Sequence, residues 1–186
     1  MVLNETFQNT NMYFVAILCP PPADEKVLRF KHWMKDRFGC VVALKSPAHI
    51  TLIPPFWLDE KKEAELQQTL QSITSDKDEL EIQLNGFSHF SKRVLFVNVK
   101  EDPELEELKN QTEIHFMQSF GDRIKKDDRP FHPHITIANR DLKPRDFEKA
   151  WEHFSKNNFN ATFNTRTISL LKLSTGKWNV IGEKKW

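Results

Sequence analysis

A four-residue phrase is written twice in this chain, and it constrains the fold more than any other feature. His49-Ile50-Thr51-Leu52 and His134-Ile135-Thr136-Ile137 both read His-Ile-Thr-aliphatic, 85 residues apart in a chain of 186. Composition predicts only about 0.02 chance occurrences of His-Ile-Thr. The pair therefore points to an internal duplication, each half placing one copy on an equivalent strand. Side chains alternate along a strand, so Ile50 and Leu52 face one way and His49 and Thr51 the other, the latter two about 6–7 Å apart. His134 and Thr136 stand in the same relation to Ile135 and Ile137. Two such strands related by a pseudo-two-fold axis would line one groove with two imidazoles and two hydroxyls.

The rest of the chain supplies elements to carry those strands. Residues 12–19 are an apolar run that reads as a buried strand, stopped by Pro20, Pro21 and Pro22. Val27, Phe30, Met34 and Phe38 recur at helical spacing over 23–38, and Gly39 supplies a stop. Strands are expected at 41–44 and 48–53, around the Ser46-Pro47 break. A helix follows at 59–75, with Leu66, Leu70 and Ile73 inward and a solvated charge run at its start. Segments 81–87 and 93–100 read as strands joined through 88–92. Helices are expected at 104–120 and 144–156, a strand at 133–139, and paired strands at 167–173 and 178–182 around Gly176. Strands often follow one another directly, which favours α+β with antiparallel pairing over a doubly wound parallel sheet. No Pro/Gly/Ser-rich linker divides the chain. The expectation is one bilobal domain over 1–186, its two interlocked lobes each giving one motif to a central groove.

Composition removes several functions. Lys and Arg number 27 against 26 Asp and Glu, a formal net charge of +1. A protein that grips long duplexes by charge carries a strong basic excess, and this one does not. The five scattered glycines allow neither a Walker loop nor a G-x-G-x-x-G turn. The two cysteines, Cys19 and Cys40, sit beside apolar runs and read as buried free thiols of a reducing compartment. No apolar stretch is long enough to span a membrane. A cytoplasmic monomer is the expectation.

Paired imidazoles and hydroxyls suit a phosphodiester. Displacement at phosphorus needs a base for the nucleophile's proton and an acid for the leaving oxygen, on opposite sides of an in-line path. Imidazole titrates near pH 6.5, so one ring can be neutral while the other is protonated. The hydroxyls of Thr51 and Thr136 can donate to non-bridging oxygens where charge builds. A lone His-x-Thr is ordinarily a strand edge, and the repetition is what lifts this one. No metal and no cofactor is called for. His49, His132 and His134 could offer three imidazoles to zinc, but that would leave the repeated threonine unexplained. His132 shares the parity of His134 and so could hold phosphate. Arg140 does too, if its strand persists past Ala138. Phe56 is a candidate surface for stacking a base. Lys45 and Arg93 read as solvated strand-end charges, and His32, His89, His115 and His153 receive no role.

With those residues in view, the chain resembles the 2′-5′ RNA ligase-like branch of the two-histidine phosphoesterase superfamily, whose signature is two H-x-[ST]-x motifs. The resemblance takes in S-P-A-H-I-T-L, G-F-S-H-F-S-K-R-V-L-F-V-N-V, R-P-F-H-P-H-I-T-I-A-N-R and L-L-K-L-S-T-G-K-W-N-V-I-G-E. It implies a bilobal α+β fold and metal-independent chemistry on 2′,3′-cyclic phosphates or 2′-5′ linkages. His49 and His134 become its acid/base pair, Thr51 and Thr136 its phosphate-holding hydroxyls. RNA ends or small cyclic phosphorylated nucleotides become its partners. Two departures stand out: His132 occupies a position where many relatives carry Arg, and Pro54-Pro55 interrupt the first motif's strand. The competing expectation is a module that binds RNA ends or phosphorylated nucleotides without chemistry.

Overall fold

The structure is a computed structural model that describes residues 9–75, 77–126 and 129–186. Three prolines decide how the chain leaves its first strand. In β1 (Thr10–Leu18) the backbone pairs on both sides. Pro20 then caps α1 (Pro21–Phe38), and Pro21 and Pro22 fill its first turn, where a missing N–H costs nothing. Gly39 closes the helix at φ 72°, a left-handed conformation that glycine adopts without Cβ strain. The chain continues through β2 (His49–Asp59), α2 (Glu63–Gln71), β3 (Leu80–Phe90), β4 (Val94–Val99) and α3 (Pro103–Phe120). It ends with β5 (His134–Ala138), α4 (Pro144–Ser155), β6 (Asn160–Thr165), β7 (Thr167–Ser174) and β8 (Lys177–Lys185).

The strands form two four-stranded antiparallel sheets, ordered β2-β1-β7-β8 and β5-β4-β3-β6. This is the expected α+β class with two sheets and flanking helices. Two units share one plan: β1-α1-β2 and β4-α3-β5 each join antiparallel neighbours through an 18-residue helix with proline in its first turn. Each unit ends on an edge strand, and each edge strand begins with a motif histidine. The helices cross over. Phe30 of α1 meets Phe87 of β3 at 5.0 Å, and Phe116 of α3 meets Phe56 of β2 at 6.4 Å. One continuous core, from Tyr13 and Ile17 through Leu66 and Leu70 to Ile135 and Phe154, runs beneath both sheets.

The structure differs from expectation in five places. The helix expected over 59–75 is confined to α2 (Glu63–Gln71), behind a 3-10 turn at Glu60–Lys62, because β2 runs on to Asp59. Residues 42–45 form a 3-10 turn and not a strand, because the N–H groups of Val41 and Val42 are taken by the Asp141 carboxylate at 2.5 and 2.8 Å. β2 runs on through Pro54-Pro55 to Asp59, which an edge strand tolerates because its outer N–H groups have no partner to lose. The ladder jumps from Val15↔Ile53 to Tyr13↔Phe56 at that point. β3 persists to Phe90, so the turn before β4 tightens to residues 91–93 with Ser91 at φ 49°. β6, reading N-A-T-F-N-T, was not anticipated; only Phe163 and Thr165 of it are buried.

Candidate active site

Register places the motifs. His49 lies opposite Leu18 and Thr51 opposite Ala16; His134 lies opposite Asn98 and Thr136 opposite Phe96. Ile50, Leu52, Ile135 and Ile137 are at most 1% exposed, while both histidines and both threonines are half-buried on the opposite faces. The two edge strands pack beside one another, Thr51 and His134 line one cavity, and His134 acts electrostatically on His49.

The two rings are anchored alike. His49 Nδ1 lies 2.8 Å from the Pro47 carbonyl, and His134 Nδ1 lies 2.8 Å from the His132 carbonyl. A carbonyl can only accept, so in each neutral ring Nδ1 carries the hydrogen and Nε2 keeps its lone pair for a proton in transit. Aromatic rings hold the orientation. Phe14 packs on His49 at 4.8 Å and is itself met edge-on by Trp178 at 4.6 Å, while Phe90 and Phe96 each lie 4.9 Å from His134.

Burial lowers both proton affinities. Desolvation takes His49 down to about 4, against a partial lift from its bond to Pro47, and the nearby charges of Lys31 and His134 push the same way as burial. His134 is lowered chiefly by desolvation, partly offset by its bond to His132. A proton on His134 opposes one on His49, so the doubly charged pair is disfavoured.

The segment leading into His49 is held by side chains from elsewhere. Lys31 Nζ donates to the Ser46 carbonyl at 3.0 Å, and Asp24 Oδ1 accepts from the Ala48 N–H at 2.7 Å. Both come from α1, and Asp141 holds the start of the same segment from just beyond β5.

A cavity of about 440 Å³ opens beside His134, with Thr51 and His132 also on its wall; His49 and Thr136 are not among its lining residues. Flat apolar groups (Pro54, Pro55, Phe90 and Phe131) form its sides. The buried Lys109–Glu113 pair of α3, 2.8 Å apart, also lines it. His132 is exposed, lines this cavity and stands 3.7 Å from Glu101. The two prolines of the sequence departure are thus part of the groove wall.

Other neighbours are placed differently from expectation. Phe56 is 6% exposed and packs against Tyr13 and Phe116, which leaves no ring face for a base. Arg140 is exposed in the turn after β5, which ends at Ala138, so the parity that would aim it at the groove lapses before it. Lys45 and Arg93 are exposed, as expected of solvated charges. Sequence reasoning missed Phe14, Phe90, Phe96 and Trp178, whose nearness depends on pairings between distant strands. It also missed Lys31, although a charge at 31 within the stripe 23, 27, 31 and 34 was a visible anomaly.

A two-sheet α+β fold whose facing edge strands each present a His-x-Thr defines a phosphoesterase-like architecture. The 2'-5' RNA ligase superfamily matches this chain over residues 20–177, and the chain belongs to that superfamily of phosphoesterases. A protein of Geobacillus sp. (strain WCH70) that carries a phosphoesterase name is 27% identical over 159 residues, spanning 84% of this chain and 87% of the relative. The RNA 2',3'-cyclic phosphodiesterase of Bacillus subtilis (strain 168) is 29% identical over 121 residues, 63% of this chain and 60% of that protein. In fold, the chain matches E. coli LigT complexed with 3'-AMP at a TM-score of 0.69 and 21% identity, covering 94% of this chain and 97% of that one. Among the described residues, no helix is long and apolar enough to cross a membrane.

Proposed function

We propose that this protein is a cyclic phosphodiesterase that opens a 2′,3′-cyclic phosphate, on an RNA end or a nucleotide, with water. The observation that carries the reading is the matched pair of imidazoles on two neighbouring edge strands, each with Nδ1 tied to a carbonyl so that Nε2 is the nitrogen left to carry a proton in transit. In the reaction the water oxygen forms a bond to phosphorus and the bond from phosphorus to one ribose oxygen breaks. A neutral ring takes the water's proton while the other, protonated, gives one to the departing oxygen, each step contributing about 10²–10⁴-fold. Thr51 and Thr136 donate to the non-bridging oxygens. The adjoining cavity, within the usual range of ligand pockets, takes the nucleoside, with Phe90 and Phe131 beside the base. The name of the Bacillus subtilis relative and the nucleotides bound by LigT (3'-AMP, ATP and NADP+) support a nucleotide or RNA-end substrate. With the 5′-hydroxyl of a second RNA end in place of water, the same groups would form a 2′-5′ linkage as the bond from phosphorus to the 3′-oxygen breaks.

The test is a substrate panel with chelator present: 2′,3′-cyclic nucleotides, cyclic-ended RNA, 2′-5′ dinucleotides and ADP-ribose cyclic phosphate. Ring opening of a 2′,3′-cyclic phosphate, unaffected by chelator, is the expected result. Purified protein that turns over no member of the panel would refute it.

A further inference from the structure

Lys31 is the least explained side chain near the site. It is 2% exposed and lies on the buried stripe of α1 with Ala23, Val27 and Met34, where methionine or leucine would pack without penalty. Taking an ammonium out of water costs several kcal/mol, and burial draws Lys31 down to about 8. The hydrogen bond that the ammonium makes runs to the Ser46 carbonyl, three residues before His49. Asp24, seven residues earlier on the same helix, holds the Ala48 N–H. One helix thus grips the approach to His49 from both polarities of the backbone. The counterpart helix differs: α3 buries Lys109 beside Glu113 at 2.8 Å. The two helices therefore differ in how they meet a buried ammonium: Lys109 bonds a carboxylate, whereas Lys31 bonds the backbone that leads into the first motif.

We propose that Lys31 is a positioning residue for the reaction. Its buried ammonium fixes the backbone that carries His49 through the Ser46 carbonyl. The inference rests on the acid/base reading given above. The charged and titratable groups around the pair are Asp24 on α1 and Cys19 just past β1, which both raise the proton affinity of Lys31, and His134 on β5, which lowers that of His49. Lys31 acts on His49 in the same sense as His134, since like charge disfavours a second cation.

Lys31→Met and Lys31→Gln remove the charge at nearly constant volume, and Lys31→Arg retains it. The readouts are the NMR titration of the His49 ring and the pH–rate profile with a 2′,3′-cyclic nucleotide. The His49 midpoint and the acid limb of kcat are expected to rise by about one pH unit in the neutral variants. In the neutral variants kcat should fall about tenfold with a smaller change in KM, and Lys31→Arg should restore the midpoint, the limb and the rate. A folded neutral variant whose His49 midpoint does not move overturns the proposal. Where neither neutral variant folds, the wild-type ring decides, because its resonances should show a second inflection near pH 8 as Lys31 loses its proton. A wild-type titration without that inflection counts against the proposal. The NMR midpoint needs no turnover, so a protein inactive on every cyclic nucleotide would sink the proposed function while leaving the link between Lys31 and His49 measurable.

Discussion

At the scale of single residues, the imidazoles carry both the chemistry and an acid sensitivity. His49→Ala and His134→Ala are each expected to reduce kcat by at least about 10²-fold, with the far-UV spectrum unchanged, because neither ring is part of the continuous core. Near-wild-type kcat in either variant would remove that residue from the mechanism. The folded chain also holds these rings less protonated than the unfolded chain does. His49 falls from 6.5 to about 4, so the unfolded state binds more protons between those values, and His134 shifts in the same direction. The resulting stability is complete above pH 6.5 and is lost as pH falls toward 4. Thermal melts should therefore show Tm dropping between pH 7 and pH 4.5, and dropping less in His49→Asn. Equal drops in the two proteins would show that the ring is not desolvated as the structure places it.

At the scale of elements, the approach to the first motif depends on a residue from beyond the second. Asp141 accepts from the Val41 and Val42 N–H groups and ties residues 41–42 to the turn after β5. Asp141→Ala leaves two backbone donors without that acceptor. It should cost about 1–2 kcal/mol by denaturant unfolding, and should lower kcat several-fold with little change in KM. A variant as stable as wild type would mean that water replaces the carboxylate fully. This contact also explains what sequence could and could not tell. Periodicity marked α1, α3 and α4 closely, and the repeated phrase located β2 and β5 with their inward and outward faces. Residues 41–44 look like a strand because Val41, Val42, Ala43 and Leu44 are apolar, and the carboxylate that bends them lies about a hundred residues away. β6 escaped because a polar edge strand shows no apolar alternation; its strand character comes from pairing with β3. The aromatic setting of the rings was hidden for the same reason, since Phe14 and Trp178 meet only through β1–β7–β8 pairing. Phe56 shows the converse error: proximity to the motif along the chain suggested the groove, whereas its parity on β2 sends it into the core.

At the scale of the molecule, the two halves that carry the motifs do not each make a sheet of their own. β1 and β2 come from the first half, but the sheet they belong to is completed by β7 and β8 at the far end of the chain. The helix between β1 and β2 lays Phe30 and Trp33 against Phe87 and Phe154, which belong to the second half. In return, α3 of the second half covers β2 through Phe116. Cutting the chain between the halves would leave residues 1–75 with a two-stranded sheet and two helices that have lost much of the surface they bury. A two-stranded sheet is marginal in water, and the exposed stripe of α1 would cost about 25 cal/mol for each Å² of apolar surface returned to solvent. Fragments 1–75 and 77–186, expressed separately, are expected to lack a cooperative thermal transition and dispersed amide resonances. Co-expression should recover some of both, because the missing strands and helices are then supplied in trans. A first fragment that melts cooperatively alone would mean that each half retains an independent core. The groove would then be an interface between two autonomous folds, and His49 and His134 would be free to separate as the halves move.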